Sequence, residues 1–138
     1  MGKDFEILDH TADVGIIAYG ADLKQAFANA ARALFSLITE LEDVEEVLYR
    51  DIELDAGDEE SLLVGWLNEL VYRFDTEGIL FKRFDIIQLD ETSLKAKGYG
   101  EKADISKHSL KTGVKGATYH MLKVDKTDGY RVQVLFDI

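Results

Sequence analysis

Apolar residues recur at helical steps in two stretches of this chain and follow strand-like patterns through most of the rest, and that division limits the architectures open to it. Asp22 stands where an N-cap is favoured, with Gln25 at capping-box spacing. Leu23, Phe27, Ala30, Leu34, Ile38 and Leu41 then fall on one face, which predicts a first helix over Leu23 to Glu40. Asp58 caps a second helix, in which Leu63, Trp66, Leu67, Leu70, Val71 and Phe74 form a broad apolar stripe. Gly78 sits where a left-handed C-terminal residue would end it.

Strands are expected over Phe5 to Leu8, Val14 to Tyr19, Glu45 to Asp55, Ile79 to Leu89, Leu94 to Tyr99, Thr112 to Val124 and Tyr130 to Asp137. Asp128-Gly129 between the last two runs is a hairpin signal. Ala103 to Ser109 reads as a loop or a short helical turn. Because helices and strands do not alternate regularly, the expected class is α+β, two helices packed on a mostly antiparallel β-sheet, with residues 1–138 as one domain.

Cysteine is absent, which excludes disulfides, thiolate zinc sites and cysteine nucleophiles and leaves the apolar core to hold the fold. Proline is absent too, so turns fall to Gly, Asp, Thr and Ser. With 16 Lys and Arg against 27 Asp and Glu, the formal charge of −11 argues against binding a bare phosphate backbone, so no direct nucleic-acid contact is expected. At 46% hydrophobic residues the chain is too apolar to be disordered. No apolar run approaches the roughly 18 residues of a membrane span, and the N-terminus turns acidic before a signal core could form, so a cytoplasmic protein with no membrane contact is expected.

Asp9, His10, Thr11 and Asp13 crowd two carboxylates, an imidazole and a hydroxyl into the connection between the first two strands. Such residues bond their own backbone in turns, and the same oxygens suit a hard divalent cation, which needs more than one protein ligand. A second anionic source stands at Phe136-Asp137-Ile138, directly after the last strand, where the Asp137 side chain and the carboxylate or carbonyl of Ile138 are tethered to the sheet. If that strand ends near Asp13, three oxygen donors meet. His10, His108 and His120 lie far apart with no HxxxH spacing, which reads as structural histidines and not as a zinc site. Gly98, Gly100, Gly113 and Gly116 match neither a Walker loop nor GxGxxG, and no GxSxG elbow occurs. Lys95, Lys97, Lys102, Lys107, Lys111 and Lys115 make one segment basic, read as a solvated edge that resists strand pairing or as a patch for an acidic partner.

Several of these stretches together resemble the archease family: His10-Thr11-Ala12-Asp13-Val14-Gly15, Leu62-Leu63 to Trp66-Leu67-Asn68-Glu69-Leu70, Gly100-Glu101 followed by His108, Thr118-Tyr119-His120, and the final Asp137-Ile138. The likeness spans essentially the whole chain. It implies a small accessory protein that is not itself an enzyme and that activates the tRNA-splicing RNA ligase, which joins 3′-phosphate or 2′,3′-cyclic phosphate ends to 5′-hydroxyl ends. Such proteins promote ligase guanylylation and multiple turnover. It also implies, as an alternative, a chaperone and specificity factor for a tRNA cytosine methyltransferase. The family's metal site falls on Asp13, Asp137 and Ile138, with Ca2+ the preferred occupant and Mg2+ or Mn2+ also suited. His10 then stands behind the ligands or braces the loop, and His120 is a neighbour on the adjacent strand; neither is expected to be a ligand.

Overall fold

Residues 3–9 and 13–138 are described by the computed structural model. Among the described residues seven strands and two α-helices follow one another as β1 (Phe5–Asp9), β2 (Asp13–Gly20), α1 (Leu23–Ile38), β3 (Leu48–Asp55), α2 (Glu59–Glu77), β4 (Ile79–Leu89), β5 (Ser93–Lys102), β6 (Gly116–Asp125) and β7 (Tyr130–Asp137), with a 3-10 turn at Leu41–Asp43.

Local chemistry sets the helix ends. The Asp22 carboxylate accepts the Gln25 N–H at 2.8 Å, and the Gln25 side chain reaches back to accept the Ala21 N–H at 2.6 Å. Asp58 accepts the Ser61 N–H at 2.7 Å in the same way for α2. Gly78 closes α2 at φ 69°, a conformation that costs a residue without Cβ little, and its N–H bonds the Phe74 carbonyl.

Every registered strand pair is antiparallel, as expected, and the pairs divide between two sheets of order β1-β2-β7-β6 and β3-β5-β4. Both helices touch both sheets: α1 packs on β2 and β7 of the first and β4 of the second, and α2 packs on β6 of the first and on all of β3, β4 and β5. The helix pair therefore lies between the sheets. That placement explains why so much of α1 is buried, with Ala26, Ala30, Ala31 and Ala33 keeping it slim on the sides that Phe27, Leu34 and Phe35 do not fill.

Trp66 anchors the interior. It is fully buried, donates Nε1–H to the Phe27 carbonyl at 3.0 Å, and meets Phe84 edge-on at 5.6 Å between ring centres. Phe35 and Phe81 pack edge-on at the same separation. Gly100 allows β4 and β5 to close, since a Cβ there would stand 1.9 Å from the Leu80 carbonyl oxygen.

The basic segment is corrected by the topology. β5 is the central strand of its sheet, so Lys95 and Lys97 guard no edge. They stand on the outer face opposite Glu53 and Asp51, at 3.8 and 3.7 Å. Lys97 also lies over the Tyr49 ring, and Arg83 covers Tyr99 at 3.8 Å. Lys107, exposed, bridges Glu45 and Glu101. β6 also differs from expectation: it starts at Gly116, not at Thr112, and its pairing with β7 breaks between Thr118 and Lys123.

Candidate metal centre

The ladder between β2 and β7 runs without a break from Gly20 opposite Tyr130 to Asp13 opposite Asp137. Side chains alternate across a strand, so Val14, Ile16 and Ala18 meet Phe136, Val134 and Val132 on the buried face, while Asp13 and Asp137 share the other face. Directly opposite residues hold their Cβ atoms about 4.5–5.5 Å apart, and like charges in that relation repel. The sheet thus places two aspartates opposite each other at its end. Asp13 is half-buried and Asp137 exposed, with Ile138 beside them 47% exposed. Gly15 and Leu135 form the next row inward, where the glycine leaves the space that Leu135 occupies.

On its other side Asp137 is registered with Gly116 of β6, and its carbonyl accepts the Lys115 N–H at 2.8 Å. Asn68 of α2 accepts the Ala117 N–H at 2.7 Å, fixing the start of β6 from the helix layer. In the sequence Asn68 stands only within the Trp66-Leu67-Asn68-Glu69-Leu70 stretch, with no role of its own. Its signal is an amide flanked by the buried Trp66, Leu67 and Leu70 of α2.

The residues singled out in the sequence divide as follows. Asp13 and Asp137 are brought together, with Ile138 adjacent in the chain. Asp9 ends β1 opposite Val14, exposed. His10 and Thr11 lie outside the described residues. His120 is exposed on the irregular stretch of β6, its N–H donating to the Thr118 hydroxyl at 3.2 Å, next to Met121 at φ 56°.

His108 is buried and structural. Its Nδ1 accepts the Asp104 N–H at 3.0 Å, so Nε2 carries the proton and faces Glu101 at 3.2 Å. Glu101 is held below its ordinary carboxylate range by Lys107 first, aided by the Glu45 N–H and His108 against the cost of burial. That network ties the 103–111 segment to the fold, where Lys111 N–H and Thr39 Oγ1 complete the seam with Ile38 and Ser109.

Two carboxylates and main-chain oxygens are a hard, all-oxygen donor set that fits Ca2+, Mg2+ or Mn2+ and suits zinc poorly. Among the described residues no group of three or more His, Cys, Asp or Glu side chains is gathered for a metal. A cleft of about 650 Å³ opens at the far end of β2 among Glu6, Tyr19, Asn29 and Tyr130, away from Asp13 and Asp137.

Fold and site define a small α+β protein with its helices between two antiparallel sheets and an acidic pair at the end of one ladder. The chain belongs to the archease family, whose model matches residues 5–138. It is 44% identical over 138 residues to a protein archease of Saccharolobus islandicus, covering 99% of each chain. A protein archease of Methanosarcina acetivorans is 41% identical over 142 residues, 99% of this chain and 97% of its own. The solution structure of a Methanobacterium thermoautotrophicum protein superposes with a TM-score of 0.84 at 37% identity, over 98% of this chain and 99% of that one. The fold is shared with a Thermotoga maritima protein described as an archease and possible chaperone, at a TM-score of 0.66 and 18% identity over 95% and 94% of the two chains.

Proposed function

We propose that this protein is a non-catalytic activator of the tRNA-splicing RNA ligase and that it works through a divalent cation held at Asp13, Asp137 and the main-chain oxygens of Ile138. The observation that carries the reading is the direct opposition of Asp13 and Asp137 at the end of the β2–β7 ladder. Like charges directly opposite on a sheet repel, and a cation bound between them relieves that repulsion. Family membership supports the rest, since the resemblance that names the family also implies the ligase and the promotion of its guanylylation.

When bound, such a cation would supply concentrated positive charge and coordination positions open to phosphate oxygens. The protein's own residues do the remaining work. β2 and β7 hold the two carboxylates on a rigid ladder end, and the surrounding negative charge favours approach to a basic RNA-processing enzyme. Ca2+ is the occupant that the all-oxygen set favours, with Mg2+ and Mn2+ as competitors. A cytoplasmic setting and action without direct RNA contact complete the proposal. Among the described residues no helix is long and apolar enough to cross a membrane.

A second reading, a chaperone for a tRNA cytosine methyltransferase, is favoured by exposed apolar side chains at Ile105, Tyr119 and Met121, which could cover a client surface. A pull-down from native cytosol with and without chelator separates the two. Ligase recovered only without chelator supports the first, methyltransferase recovered in both supports the second, and recovery of neither contradicts both.

A further inference from the structure

We infer that Asn68 is a positioning residue for the carboxylate pair: from α2 it fixes the short segment of β6 that braces Asp137 on the side away from Asp13. The inference rests on reading that pair as a cation site.

The end of β7 has two neighbours of unequal strength. Towards β2 its pairing is continuous from Tyr130 to Asp137. Towards β6 only Gly116, Ala117 and Thr118 pair with Asp137, Phe136 and Leu135 before the register breaks, to resume at Lys123 opposite Gln133. Met121, within the break, takes φ 56°, a region that side chains larger than Asn seldom occupy. The register of the second half of β6 therefore does not run on into its first three residues, although Gln133 of β7 donates to the Met121 carbonyl at 2.9 Å within the break. Upstream, residues 103–115 form neither strand nor α-helix, although Val114 buries its side chain in the core.

What fixes the backbone of the paired segment comes from another layer. Asn68 Oδ1 accepts the Ala117 N–H at 2.7 Å, and it sits so close to Gly116 that a Cβ there would stand 2.9 Å from it. One residue earlier, the Lys115 N–H donates to the Asp137 carbonyl at 2.8 Å. Three consecutive residues thus connect the Asn68 amide to Asp137. A donor set misplaced by a fraction of an ångström binds a cation less well, which is how residues behind the ligands come to tune affinity. Asn68 acts through the position of Asp137 and touches no cation itself.

The test is Mn2+ binding to the full chain, read as free Mn2+ by electron paramagnetic resonance, with the thermal midpoint measured in chelator beside it. Asn68→Ala should bind Mn2+ about tenfold more weakly, beyond the modest fall in midpoint that an unpaired Ala117 N–H brings, and Asn68→Asp, which keeps an acceptor, should restore most of the affinity. A role in stability alone would move the midpoint and leave affinity intact. If Asn68→Ala does not fold, Gly116→Ala crowds Oδ1 from the other side and should show the same weakening. Affinity within about twofold of the parent in the folded variant, or an equal loss in Asn68→Asp, overturns the positioning role while leaving the cation site standing. If Asp13→Asn and Asp137→Asn bind like the parent, or the parent binds no Mn2+, the cation reading fails and the inference with it.

Discussion

Asp13 and Asp137 face each other across the last rung of the β2–β7 ladder, although almost the whole chain separates them. The pairing joins the start of one strand to the end of another and makes an acidic site from residues that individually look like turn and tail.

The pair should respond to divalent cations. In chelator, Asp137→Asn should unfold at or above the parent's temperature, because it relieves a like-charge opposition worth up to about 1 kcal/mol. With Ca2+ at about 100 times its dissociation constant, the parent should gain about 2.7 kcal/mol and the variant far less. Differential scanning calorimetry in the two conditions measures both. A parent midpoint insensitive to Ca2+, Mg2+ and Mn2+ would contradict the site.

Much of this arrangement was legible because it is local. Asp22, Gln25, Asp58 and Gly78 mark helix ends through contacts within a few residues, and β4 and β7 occur at the expected bounds for the same reason. Strand alternation, by contrast, says which face is buried and not which strand is next. The division into two sheets and the central place of β5 depend on long-range pairing, so the lysines of β5 read as an edge when they are an outward ladder facing Glu53 and Asp51. Asp13 and Asp137 could be named from their oxygen chemistry, but their opposition is a matter of register between distant strands. The break in β6 at Thr118 and the Asn68 clasp on Ala117 had no periodic signal at all.

Trp66 should dominate the stability of the middle layer. Trp66→Phe removes the Nε1–H bond to Phe27 and part of the contact with Phe84, and should cost about 2–3 kcal/mol in urea unfolding. It is the chain's one tryptophan, so circular dichroism must serve as the probe. A loss below about 0.5 kcal/mol would show that the neighbouring rings close the gap.

Acid should loosen the 101–111 region. Glu101 titrates below its ordinary value of 4.5 in the folded chain, chiefly because of Lys107, so its ion pair stabilises the fold above that pH and is lost as pH falls through the lowered value. Glu101→Gln should therefore be less stable than the parent at neutral pH, and the two should converge in acid. Urea midpoints from pH 7 down to pH 3 measure this. A difference that grows on acidification would contradict the role of Glu101.

The central claim is that the acidic ladder end activates the ligase, and ligase guanylylation tests it most directly. Label transfer from guanosine triphosphate to the ligase would be followed with the parent protein and with folded Asp13→Ala and Asp137→Ala variants. The account predicts that the parent stimulates labelling and that each variant loses most of that stimulation. Full stimulation by both variants would contradict it.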